Sequence, residues 1–158
     1  MILSAQSIRK LCLESSLISP FTDRKVHPSG MSYGLSSAGY DIRLGAMVNL
    51  APRSYTLGAT LEQFFIPSFL VMRVHDKSSW ARKGLFVQNT IGEPVWRGFL
   101  TLELSNETKE WIYLDAGTPI AQVIFEQLDE PTIQPYKGKY QDQESGPQPA
   151  RIEKDETE

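Results

Sequence analysis

"GFLTLELSN", Gly98–Asn106, alternates from Leu100 to Ser105: Leu100, Leu102 and Leu104 fall on one side of an extended chain, Thr101, Glu103 and Ser105 on the other. Successive side chains of a strand point to opposite faces, so this period of two predicts a strand with one face in a core. The same texture recurs in both directions. "YDIRLG" (40–45), "AMVNLAP" (46–52), "FLVMRVH" (69–75), "LFVQNTIG" (85–92), "EWIYLDAG" (110–117) and "PIAQVIFEQL" (119–128) are short apolar or alternating runs. Gly, Pro, Asn and Asp cut them apart, and strands at this spacing predict a mainly β barrel or sandwich. The start of the chain differs: in "SAQSIRKLCLES" (4–15) Ile8, Leu11 and Leu13 lie near helical spacing, and Ser4 is a candidate N-cap.

The end differs again. From Tyr136, "YKGKYQDQESGPQPARIEKDETE" has almost no aliphatic residues and cannot bury enough surface to fold alone. The domain organisation expected is one β domain over 1–135 and a flexible arm over 136–158. The arm either stays a tail or orders on a ligand or a neighbouring subunit; its first half, to about 147, is unusually rich in Tyr, Lys and Gln, and its last residues read as disorder.

Composition narrows the function classes. With 158 residues, 41% of them hydrophobic and 22% charged, the chain suits one soluble domain with a real core. A net charge of -3 argues against a nucleic-acid polymer as partner, since phosphate neutralisation needs a basic excess, but leaves room for a local anion pocket. No run approaches the roughly 20 apolar residues of a membrane span, and the first residues lack the pattern of a signal peptide, so a cytoplasmic protein with no membrane partner is expected. Cys12 is the only cysteine and His27 and His75 the only histidines. That set cannot build the zinc site of the metal-dependent base deaminases, so no protein-held metal, and no zinc, is expected.

One stretch breaks the apolar rhythm. "DKSSWARKGL" (76–85) follows "FFIPSFLVMRV" and gathers Lys77, Ser78, Ser79, Arg82 and Lys83. Taken alone it is either a solvated loop or a seat for an anion.

Taken together, "SSAGYDIRLG" (36–45), "KSSWARKGL" (77–85), "EPVWRGFLTLELSN" (93–106), "GTPIAQVIFE" (117–126) and "YKGKYQDQESGP" (136–147) resemble, in order and spacing, the dCTP deaminase family of the dUTPase-like superfamily. The resemblance runs over about residues 1 to 151. It implies a dUTPase-like distorted β-barrel or jelly-roll with a short N-terminal helix and a C-terminal arm. It also implies a homotrimer with active sites at subunit interfaces. The implied reaction is dCTP + H2O → dUTP + NH3, zinc-independent, with Mg2+ carried on the triphosphate.

The same resemblance implies the site residues. Glu103 matches the catalytic glutamate, which takes a proton from water and passes it to the ring nitrogen and departing ammonia; by alternation alone it is a strand residue on a solvated face. Ser78 matches the serine that holds the water or the exocyclic group, and Arg82 the arginine that steadies charge around Glu103. Lys77 and Ser79 match phosphate donors, although Lys77 stands where the family usually has Arg and lacks the planar fork. Asn89 marks a position whose backbone carbonyl approaches the base. Glu93-Pro94-Val95-Trp96 stands where the family usually reads Asp-Pro-Gly-Phe/Trp or Asp-Ala-Gly-Phe/Trp. Glu93 and Trp96 are carried over as substrate contacts, and Val95 in place of Gly predicts a turn without positive φ. Gln122 matches a glutamine at subunit and nucleotide contacts, and a structural amide is equally consistent with it. Tyr136, Lys139 and Gln143 match the arm that closes over the triphosphate. The glycine-rich, Phe-bearing arm of dUTP pyrophosphatases is absent. Three other readings stay open beside deamination of dCTP: a bifunctional enzyme yielding dUMP, a dUTP pyrophosphatase, and a non-catalytic nucleotide-binding relative.

Overall fold

The computed structural model describes residues 1–28 and 30–152. The expected N-terminal helix is α1, Ala5–Ser15, flanked by Ser4, whose side chain makes no capping bond. Its buried face is Ile8 and Cys12, four residues apart and so one above the other, while Leu13 is 75% exposed. Leu13 therefore leaves the apolar stripe expected of it: 100° per residue turns it away from Cys12.

Among the described residues twelve strands follow, all paired antiparallel. They are β1 (Ile18–Ser19), β2 (Lys25–Val26), β3 (Tyr33–Ser36), β4 (Gly39–Arg43), β5 (Val48–Leu50) and β6 (Tyr55–Phe65), then β7 (Leu70–Asp76), β8 (Leu85–Val87), β9 (Ile91–Gly92), β10 (Arg97–Asn106), β11 (Ile112–Leu114) and β12 (Pro119–Gln127). A four-residue helix, α2 (Ser78–Ala81), joins β7 to β8. One sheet has the order β2-β3-β4-β12-β7-β9, a second β1-β6-β10-β8, and β5 pairs with β11 as a separate ribbon. Their inner faces share one core that includes Tyr40 and Ile42 of β4, Phe64 of β6, Leu102 and Leu104 of β10 and Phe125 of β12, all fully buried. Burying each such side chain contributes roughly 1.5–3 kcal/mol.

The mainly β expectation holds, in the form of two sheets rather than a closed barrel. The sheets meet at one corner, where Leu44 bridges Thr60 and the Gly45 N–H donates to the Ala59 carbonyl at 2.8 Å. At the opposite side β8 pairs only with β10, and β2 only with β3, so the sheet edges stay apart. β6, the longest strand, escaped the sequence reading because Gly58, Ala59 and Thr60 interrupt its apolar signal. Opposite that stretch the β6–β10 register shifts between Phe99 and Thr101. The Leu100 N–H there donates to the Thr60 hydroxyl at 2.9 Å.

The arm lies along the first half of β10. The Tyr136 N–H donates to Pro94, the Trp96 indole to the Tyr140 carbonyl at 2.6 Å, and the Phe99 N–H to the Gln143 carbonyl at 3.0 Å. Arg97 pairs with Asp142, and the Gln148 N–H donates to the Thr101 hydroxyl. Gly98, at φ 140°, forms a parallel bridge with Gln143, and a Cβ on it would stand 2.6 Å from the Gln143 nitrogen. The body thus supplies the partners that the arm's own sequence lacks. The end expected to be disordered falls, from residue 153 on, outside the described residues.

Candidate active site

β10 carries Glu103 into a recess of about 370 Å³. Its floor is strand: Leu57 from β6, then Leu100, Thr101 and Glu103 from β10. The segment leading to β9 contributes Asn89, and the turn before β10 contributes Glu93 and Trp96. The arm closes the remaining side with Tyr136, Tyr140, Gln143 and Gln148. Glu103 is half-buried, and its carboxylate takes part in none of the ion pairs among the described residues. Tyr55, Trp96, Tyr136 and Tyr140 share this recess with it.

Its backbone is held tightly. The Gln88 N–H donates to the Glu103 carbonyl at 2.9 Å. The Asn89 amide then does the work of a strand: its Nδ2 donates to the Thr101 carbonyl at 2.8 Å, and its Oδ1 accepts the Glu103 N–H at 3.2 Å. From sequence, only the Asn89 backbone carbonyl is a candidate contact. In the structure the side chain is committed as well, extending the ladder past the point where β8 ends.

Glu93-Pro94-Val95-Trp96 forms a tight turn in which the Trp96 N–H donates to the Glu93 carbonyl at 3.0 Å, and Val95 sits at φ 71°. Expecting this turn to avoid positive φ was wrong. Pro94 at the second position and a left-handed third residue make a type II turn, which favours glycine there. Val95 is kept in that conformation by its N–H bond to the Ile66 carbonyl and by the Gln141 amide donating to its own carbonyl. A β-branched residue in the left-handed region costs of order 1–3 kcal/mol.

The loop read as an anion seat lines a different recess, of about 330 Å³. Lys77, Ser78, Ser79 and Gln122 border it, together with Lys25, His27, Ser32, Asp41 and Asp76. Asp41, only 3% exposed, is its hub. One carboxylate oxygen accepts from Ser32 at 2.9 Å and from Lys77 at 3.0 Å; the other accepts from Gln122 at 3.1 Å. Lys25 approaches at 3.7 Å. Gln122 also donates to the Ser36 hydroxyl at 3.0 Å.

Within one chain, then, the structure gathers Glu103, Asn89, Glu93, Trp96, Tyr136 and Gln143 in one recess, and Lys77, Ser78, Ser79 and Gln122 in another. Glu103 and Ser78 are not brought together. Arg82 and Lys139 are exposed and border neither recess. Trp96 is 5% exposed, with its indole N–H tied to the arm. Gln143 is 8% exposed, and its side-chain oxygen has no partner among the described residues. The sequence reading assigned no role to Asp41, although "SSAGYDIRLG" contained it; a carboxylate between apolar Tyr40 and Ile42 was the available signal. Tyr140 and Gln148 were missed because only docking of the arm brings them to the recess.

Two buried groups stand apart from this chemistry. Burial pushes the Cys12 thiol up to about 12, which leaves it without thiolate character. Glu62, fully buried, is raised by burial against the opposing effect of Arg43, whose Nε donates to it at 2.7 Å. Among the described residues no three His, Cys, Asp or Glu side chains converge as a metal cage. No helix among them is long and apolar enough to cross a membrane.

The fold is that of the dUTPase-like enzymes. The structure superposes on the EIAV dUTPase with a TM-score of 0.54, at 24% identity over 65% of this chain and 86% of the other. On 2'-deoxycytidine 5'-triphosphate deaminase from Agrobacterium tumefaciens the TM-score is 0.64, at 19% identity over 80% of this chain and 47% of that one. Sequence narrows this class further: residues 46–128 match the dCTP deaminase-like family model. The dCTP deaminase of Pelagibacter ubique is 35% identical over 90% of this chain and 95% of its own length. The chain belongs to the dCTP deaminase family.

Proposed function

We propose that this protein is a dCTP deaminase, converting dCTP and water to dUTP and ammonia with Glu103 as the proton carrier. The observation that carries this reading is the Glu103 carboxylate, half-buried and outside every ion pair of the described residues, in a recess lined by Tyr136, Tyr140 and Trp96. An aromatic, amide-lined niche suits a pyrimidine nucleoside, since rings stack and Asn or Gln groups meet its polar edge. Glu103 takes a proton from the attacking water as the C4–O bond forms. It gives that proton to the ring nitrogen, then takes the proton of the new C4 hydroxyl as the C4=O bond forms and delivers it to the leaving amine as the C4–N bond breaks.

The second recess is the phosphate seat in this reading. Ser78 and Ser79 present hydroxyls there, and Mg2+ enters as part of the substrate, bridging phosphates as it does in nucleotide sites generally. One chain holds the two recesses apart, so the complete site requires two copies: Glu103 and the arm from one subunit, Ser78 and Arg82 from its neighbour. A homotrimer with three such junctions meets that requirement.

Product analysis tests the reading. Incubation with dCTP and Mg2+ is expected to release one ammonia per dUTP formed. Appearance of dUMP from dCTP instead identifies the bifunctional enzyme. Unchanged dCTP, with dUTP cleaved to dUMP, overturns the assignment in favour of a pyrophosphatase.

A further inference from the structure

Lys77 and Lys25 both reach Asp41, and they do so on very different terms. The Lys77 side chain is 10% exposed, stands 3.0 Å from the carboxylate and donates to the Ser32 hydroxyl at 3.3 Å. Two of its ammonium protons are therefore directed inward, and its charge is neutralised by a buried partner. The Lys25 side chain is 44% exposed and 3.7 Å from the same oxygen, beyond hydrogen-bond length. Among the described residues its ammonium donates no hydrogen bond. Gln122, the other predicted nucleotide contact in this recess, has its amide nitrogen divided between Asp41 and Ser36. Asp76, at the rim, has one oxygen occupied by the Val87 N–H at 2.7 Å.

What the recess offers an incoming anion is thus the exposed hydroxyls of Ser78 and Ser79 on one side and Lys25 on the other. His27 borders the recess too, because residues two apart at the end of β2 share a face. We infer that Lys25, on the β2–β3 hairpin, is the cation that meets the substrate's phosphates, while Lys77 is the internal counterion that holds Asp41 and shapes the seat. This rests on the reading of the 77–79 loop as the phosphate seat. It assigns recognition of the polyphosphate to a hairpin far from that loop in sequence. An exposed ammonium outside hydrogen-bond range of any carboxylate gains a charge-assisted bond without giving up an existing one; Lys77 is little exposed, has two of its three donors directed inward, and its charge is already offset by a buried carboxylate.

Titration calorimetry with inorganic tripolyphosphate and Mg2+ tests this on the intact protein, independently of any deamination. Lys25→Gln is expected to weaken tripolyphosphate binding about tenfold, the loss of one charge-assisted contact. Lys10→Gln, which removes an exposed charge from α1, serves as the charge-matched control and is expected to leave binding as it was. Lys77→Gln is expected to lower the melting temperature, whereas Lys25→Gln leaves it within a degree or two. Equal affinities for Lys25→Gln and Lys10→Gln, or no binding of tripolyphosphate by the parent protein, would overturn the inference. A parent protein that binds tripolyphosphate through Lys25 yet releases no ammonia from dCTP leaves this inference standing and sinks the deaminase reading alone.

Discussion

Around Asp41 the polar groups are used up on one another: a buried carboxylate receives Ser32, Lys77 and Gln122 and leaves only peripheral donors open. Around Glu103 the reverse holds. The backbone is tied down by Gln88 and Asn89, while the carboxylate is left uncommitted. The Asp41 recess is a seat whose central carboxylate is already paired; the Glu103 recess is a strand presenting one acid that pairs with no cation among the described residues. The contrast separates polar groups committed to one another from a carboxylate left uncommitted among the described residues, within a set that the sequence alone treats as equivalent.

Five substitutions test the difference between the two recesses. Glu103→Gln keeps shape and removes the proton carrier, so ammonia release is expected to fall about 10³-fold or more while tripolyphosphate binding is retained. An active Glu103→Gln enzyme removes the mechanism. Asp41→Ala leaves the little-exposed Lys77 ammonium without its counterion, and urea titration is expected to show a loss of about 3 kcal/mol. A loss no larger than that of a surface aspartate would mean the hub is not structural. Gly98→Ala forces a Cβ against the Gln143 nitrogen and is expected to release the arm. Limited proteolysis should then cut between 136 and 150, with roughly 2 kcal/mol lost; a protected arm refutes the close-approach argument.

Asn89→Ala acts through Glu103 rather than on substrate. It is expected to lower kcat about tenfold with KM nearly unchanged, the pattern of a misplaced reacting group. A rise in KM alone would return Asn89 to substrate binding. Val95→Gly relieves the left-handed valine and is expected to stabilise the protein by about 1 kcal/mol in urea titration, with the turn and activity intact. Destabilisation would show that Val95 packing outweighs its backbone cost.

Much of the scaffold was legible. β10 announced itself because Leu102 and Leu104 alternate with polar residues, and period two survives any tertiary context in which one face is buried. β6 hid because Gly58, Ala59 and Thr60 carry no apolar period, yet β1 and β10 on its two sides require a strand there. Leu13 shows the limit of spacing by eye: a residue one step past Cys12 already faces water. Strand spacing left barrel and sandwich open, because which edges pair is not encoded in composition.

Residue types and short-range periods are local properties, so the mainly β class, the strand that bears Glu103, the single cysteine and the family motifs are readable from the chain alone. The tertiary structure alone decided that Lys77 faces inward and Lys25 outward, that Asn89 serves a neighbouring strand, that the arm docks beside Gly98, and that Glu103 and Ser78 occupy separate recesses. Those outcomes depend on which groups from distant segments reach a shared partner first, and a buried carboxylate such as Asp41 satisfies its few lone pairs with whichever donors the fold carries to it.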